Sequence, residues 1–221
     1  MTATEILAAL HAQANPANVA GMARYGISSS GTLGVPMPAL RALARAAGRD
    51  HALAGQLWAS GIHEARILAS LIDDPAAVTA RQMDRWIRDV DSWDVCDQLC
   101  QNLLRYTPTA FATARRWSRA RAEFKRRAAF SLMAGLAVKS KAPDSSFEAF
   151  FPLIREAAGD DRNLVKKAVN WALRQIGKRN PALRQRAIVV ALEIRAVDSG
   201  PARWIAAGAL RELRARAASH P

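Results

Sequence analysis

The sequence predicts an all-α protein, and three observations carry that prediction. Residues that start helices recur along the whole chain of 221 residues. Between them the apolar positions return with helical period, and alternating strand patterns are nearly absent. The composition leans the same way: Ala, Leu and Arg dominate while Val, Ile, Tyr and Phe are comparatively sparse. With 50% of its residues hydrophobic, a chain of this length can bury a substantial core.

In chain order, MTATEILAALHAQ reads as an amphipathic helix, because its short apolar stretch lacks the basic flank of a signal peptide. YGISSSGTLGV, residues 25–35, reads as an irregular connection. Pro36 and Pro38 precede ALRALARAAG, Asp50 precedes HALAGQLWAS, and Gly61 precedes IHEARILASLID. Asp91-Ser92 opens WDVCDQLCQNLL. Thr107-Pro108 opens TAFATARRW as N-cap and first-turn proline. RAEFKRRAAFSLMAGL is the next helix, followed by a loose connection, KSKAPDSS, at 139–146. Asp144 then opens SSFEAFFPLIREAA, Asp161 opens RNLVKKAVNWALRQIGKR, Asn180-Pro181 opens ALRQRAIVVALEIR, and Gly200-Pro201 opens the last helix. That makes roughly a dozen helices with short turns. Some start signals, such as Asp50 to Asp91 and Asp161 to Gly200, lie about 40 residues apart, near the period of HEAT or armadillo repeats. A plain helical bundle is the alternative.

Lys and Arg number 32 against 19 Asp and Glu, a formal net charge of +13. Such a chain attracts polyanions, nucleic acid first and an anionic membrane surface second. An Arg- and Ala-rich genomic composition would give part of the same excess. Cys96 and Cys100 sit four apart on one helix and read as small core residues. His11, His51, His63 and His220 are scattered, and no zinc spacing is present. No apolar run is long enough to span a bilayer, so a cytoplasmic protein is expected.

Three helices carry faces that a packed core does not explain. After Asp161, Val165, Val169, Ala172 and Ile176 form the core stripe at 100° per residue, and Lys167, Trp171, Arg174 and Lys178 fall opposite it. A tryptophan within a basic stripe suits phosphates and a sugar or base, although it equally suits packing against a neighbouring helix. After Asp91, the core stripe is Val95, Cys96, Leu99 and Leu103. Asp97 lies off it beside Trp93, either as a working carboxylate or as a solvated one. Asp91 and Asp94 read as first-turn acids. In the helix around 121–136, Arg127 projects roughly opposite the apolar side and ends a dense cationic run. A carboxylate between tryptophans on a basic surface suits one reaction class. A purine alkylated at N3 or N7 is already a good leaving group, and a carboxylate stabilises the oxocarbenium-like sugar left behind. Phosphate-cradling glycine loops, a nucleophile elbow and a zinc signature are absent.

The chain resembles the AlkD family of DNA alkylation repair glycosylases. The resemblance runs through MARY…LGVPMPALRALAR (22–45), HEARILASLIDD (63–74), SWDVCDQL (92–99), FKRRAAFSL (124–132) and DRNLVKKAVNWALRQIGKRNP (161–181). It implies a right-handed α-solenoid of HEAT-like helical repeats with a concave basic surface, formed as one domain over residues 1–221. It implies a monofunctional glycosylase, without cofactor or metal, that excises 3-methyladenine and 7-methylguanine from duplex DNA without flipping the base. It implies Asp97 as the catalytic carboxylate, with Trp93 and Trp171 cradling the sugar. Arg127, Arg174 and Tyr25 are then DNA contacts, joined by Lys167 and Lys178 of the basic stripe. A monomer acting on nucleoid DNA is expected. Phe124 stands where the family carries a larger aromatic. The wider superfamily also holds members that bind branched or damaged DNA without cutting a glycosidic bond.

Overall fold

A computed structural model describes residues 1–219, and for 218 and 219 only the backbone; His220 lies outside the described residues. Fourteen α-helices and no strand occur among them, and the chain divides into two compact units, Met1–Pro108 and Thr109–Pro221.

The first unit holds α1 (Ala3–Ala12), α2 (Pro16–Ala23), α3 (Met37–Ala47), α4 (His51–Ala59), α5 (His63–Ile72), α6 (Ala80–Asp89) and α7 (Trp93–Asn102). Side chains start most of them. Thr2 and Glu5 form a reciprocal capping box on α1. Asn15 and Asp50 cap α2 and α4 by accepting from the N–H of Asn18 and Leu53. The sequence reading passed over α2 and α6, yet Thr79 caps α6 by accepting from Gln82 N–H at 3.1 Å. The signal that would have found α6 is this Thr-x-x-Gln pattern ahead of Met83, Trp86 and Ile87, the apolar residues that α6 buries. Trp86 stacks on Trp58 of α4, with centroids 4.2 Å apart and planes within 2°. Such a pair contributes about 1 kcal/mol beyond its area. α5 packs on α3, α4 and α7 and is the buried spine of this unit.

The second unit holds α8 (Ala110–Trp117), α9 (Glu123–Lys139), α10 (Asp144–Glu148), α11 (Phe151–Ala157), α12 (Asn163–Gly177), α13 (Pro181–Arg195) and α14 (Gly200–Ser219). The single helix expected after Asp144 is two, α10 and α11. Pro152 has no N–H to give to the carbonyl of Glu148, and its ring crowds that carbonyl, so the chain restarts there. Thr107 does not cap α8; its hydroxyl closes the preceding 3-10 turn onto Leu104 O, and the helix begins at Ala110. Asn180 caps α13 as expected, with Pro181 in the first turn. Residues Arg127 to Ala137 of α9 are all buried, so α9 has no solvent face along that stretch. It packs mainly on α8 and α12, and α12 in turn on α13 and α14.

Polar contacts between helices recur at fixed offsets. In the first unit, Trp58 Nε1 donates to Asp89, His63 pairs with Asp94, and Leu33 N–H donates to Glu64, each 31 residues apart. In the second, Arg155 pairs with Glu193 and Arg174 with Glu212, each 38 apart, while Arg119 pairs with Glu156 at 37. These ladders are the repeat itself. In the second unit its length lies near the spacing of about 40 read from start signals, and in the first unit it falls short of it.

Candidate functional site

α7 positions two of the expected site residues. Trp93 opens the helix and Asp97 follows one turn later, on the same side. Both line a cleft of about 670 Å³ within the first unit, together with Tyr25. Trp93 Nε1 donates to the carbonyl of Tyr25 at 3.0 Å, which ties the indole to the 24–35 connection. The Tyr25 side chain is 77% exposed. The apolar walls are Met22, Met37, Leu40 and Ile67, and the polar lining is His63, Glu64, Asp94, Asp97, Asn18 and Gln98. Among the described residues no Lys or Arg lines this cleft, in a protein of net charge +13. Its lining carries three carboxylates and one imidazole.

Two of those carboxylates have structural partners that sequence reasoning missed. Glu64 is 1% exposed. Its oxygens accept from the backbone N–H groups of Leu33, Gly34 and Val35 at 2.9, 2.6 and 3.3 Å, which fixes the rim of the cleft. Gly34 is required there: its φ is +78°, and a Cβ would lie 2.4 Å from Asn15 O. Asp94, read as a first-turn acid, pairs through Oδ2 with Nε2 of the buried His63 at 2.9 Å. A His-Glu pair at the start of an apolar helix was the available signal.

In the second unit, α12 carries the basic stripe. Lys167 is exposed, and Trp171, Arg174 and Lys178 are half-buried. The Gln175 amide oxygen, facing both, accepts from Trp171 Nε1 at 3.1 Å and from Lys178 Nζ at 3.2 Å. Arg174 and Lys178, expected as phosphate contacts, both pair with Glu212 of α14, Lys178 at 2.8 Å, and both keep part of their side chains exposed. Burial alone would raise the Glu212 carboxyl pKa, but hydrogen bonds from Lys178 and Arg174 outweigh it and hold it below the ordinary value. A carboxyl depressed on folding stabilises above its unfolded pKa of about 4.3, and that contribution is lost as pH falls through the folded value. The stability difference between wild type and Glu212→Gln should therefore be constant above about pH 5 and narrow below about pH 4. Urea unfolding across that range measures it.

Arg127 corrects the sequence reading. It does not project into solvent but is 6% exposed, and its Nη1 donates to Leu164 O at 2.8 Å, in the first turn of α12. The helical wheel failed because α9 is covered on every side. Arg127 thus holds the helix that carries Trp171. Arg127→Ala should cost about 3 kcal/mol in urea unfolding, through the lost hydrogen bond to α12 and the void left by a large buried side chain.

The family model for DNA alkylation repair enzymes matches residues 6–213. The chain belongs to that family. A solved structure superposes with a TM-score of 0.78 at 21% identity, covering 87% of this chain and 83% of the other. It is described as belonging to "a new family of proteins related to the HEAT-like repeat DNA glycosylases with affinity for branched DNA structures". At that identity the likeness speaks for the fold, a HEAT-like repeat array of the kind the offset ladders display. No curated protein matches the chain.

Proposed function

We propose that this member of the DNA alkylation repair family is a monofunctional glycosylase acting on cationic N3- and N7-alkylated purines, such as 3-methyladenine and 7-methylguanine, in duplex DNA. The observation that carries the reading is Asp97 beside Trp93 in a cleft with carboxylates and no Lys or Arg, on an otherwise basic protein. The bond between the sugar C1′ and the base nitrogen breaks, and the electron pair neutralises the departing base. The remaining sugar carries oxocarbenium character, which a nearby Asp97 carboxylate stabilises. Asp97 also orients the water whose oxygen bonds to C1′ while its proton passes to the carboxylate or solvent. Trp93 offers an aromatic face to the cationic nucleotide, and Trp171 is an aromatic DNA contact of the second unit. Lys167, Arg174, Lys178 and Tyr25 contact the backbone, and Arg127 acts through α12 as a positioning residue. Selectivity comes from the charge of the lesion, without the base leaving the stack. No cofactor is needed.

The experiment is release of methylated purines from alkylated duplex by the full chain. Release above the spontaneous rate supports the reading. Its absence, with tight binding of three- or four-way junctions, favours the second reading: a non-catalytic DNA-binding module, to which the branched-DNA affinity named for the superposed structure points.

A further inference from the structure

Among the described residues of the second unit, one aromatic side chain is left exposed. Trp204 is 47% exposed on α14, a helix whose other large apolar residues, Ile205, Leu210 and Leu213, are buried. Lys166 Nζ stands 5.0 Å over the indole ring, and the ring N–H has no hydrogen-bond partner among the described residues. One turn on come Ala207 and Gly208, which leave a hollow of about 280 Å³ beside the indole. The hollow is lined by Trp204, Asn170, Arg174, Gly208, Arg211 and Glu212. It is a built feature. Gly208 has to be glycine, since a Cβ would lie 2.9 Å from Asn170 Nδ2. Asn170 is pinned by donating to Ile205 O at 2.8 Å and accepting from Arg174 at 3.2 Å. Arg174 is pinned in turn by Glu212. Arg211 is exposed and pairs with no carboxylate among the described residues.

We propose that Trp204 and this hollow hold one unpaired base of a DNA strand. An indole face can stack only on a base whose own face is open, which an intact duplex does not offer. The hollow has room for a single ring system rather than a larger ligand. Arg174 and Glu212 at its edge are held by each other and by Asn170 and Lys178, so recognition rests on stacking and charge and selects no sequence. Lys166 and Arg211 stand where the flanking phosphates pass, and their charge suits a nucleic-acid strand over an apolar protein partner. The proposal rests on DNA as the ligand of this family, but not on base excision.

The test is fluorescence anisotropy of a labelled thymidine oligonucleotide and of an intact duplex of equal length, with the full chain. Trp204→Ala should weaken strand binding about tenfold and leave duplex binding unchanged, while Trp204→Phe retains most of the affinity. Ala207→Glu, at an exposed helical position, should weaken strand binding as well by filling the hollow with a like-charged carboxylate. Equal losses on strand and duplex, or no loss with either Trp204→Ala or Ala207→Glu, would overturn the proposal. Base release from methylated duplex by Trp204→Ala, measured in parallel, should match wild type. If wild type releases no base but strand binding still depends on Trp204, the glycosylase reading fails and the stacking site stands.

Discussion

Asp97→Asn should bind alkylated duplex as wild type does and release methylated purines about 10² to 10³-fold more slowly, the loss seen when one preorganised electrostatic group is removed. The substitution keeps the size and the hydrogen-bonding ability of the side chain but removes its charge. Binding is dominated by phosphate contacts and should hold or tighten slightly, since one repulsive charge is gone. The barrier, however, is the formation of positive charge on the sugar, and that charge appears only on the way to the transition state. The variant should thus lose the rate of base release and keep the dissociation constant. Single-turnover release with excess protein, set beside anisotropy titration, separates the two quantities. Undiminished release would remove Asp97 from the reaction.

Glu64→Ala should unfold with a loss of about 3 kcal/mol or more, because three backbone N–H groups at residues 33–35 would lose a charged acceptor at once. Glu64→Gln keeps one acceptor oxygen and should lose about half as much. Chemical denaturation compares the three proteins. The same rim borders the cleft that holds Trp93 and Asp97, so in native conditions Glu64→Gln should slow base release with little effect on duplex affinity. If both variants were as stable as wild type, Glu64 would not be what fixes the rim.

The helical class was legible because local signals and packing agree. Asp50 and Asn180 cap the helices they were expected to cap, and the apolar stripe of Val165, Val169, Ala172 and Ile176 is buried as a stripe. The exceptions have physical reasons. One proline, Pro152, outweighs the apolar continuity of 147–158 and divides it. A wheel drawn for Arg127 assumed a solvent side that α9 lacks. Of the site, Tyr25, Trp93 and Asp97 were named from sequence, and the structure brings them to one cleft. The pairing of Glu212 with Arg174 and Lys178 was not legible, because an ion pair across 34 to 38 residues follows from the stacking register of α12 on α14, which no local pattern encodes. Glu64 escaped for the same reason: its partners are main-chain groups thirty residues earlier, and backbone donors leave no trace in composition.

The offset ladders have a thermodynamic consequence. Where most polar bonds between helices reach to the next repeat, each segment's free energy depends mainly on itself and its neighbours, as in a one-dimensional chain of coupled elements. Loop closure then stays cheap at every step, and the chain condenses segment by segment without waiting for its ends to meet. Changes at residues many repeats apart, such as Glu64 and Trp204, become independent increments whose effects on unfolding free energy sum.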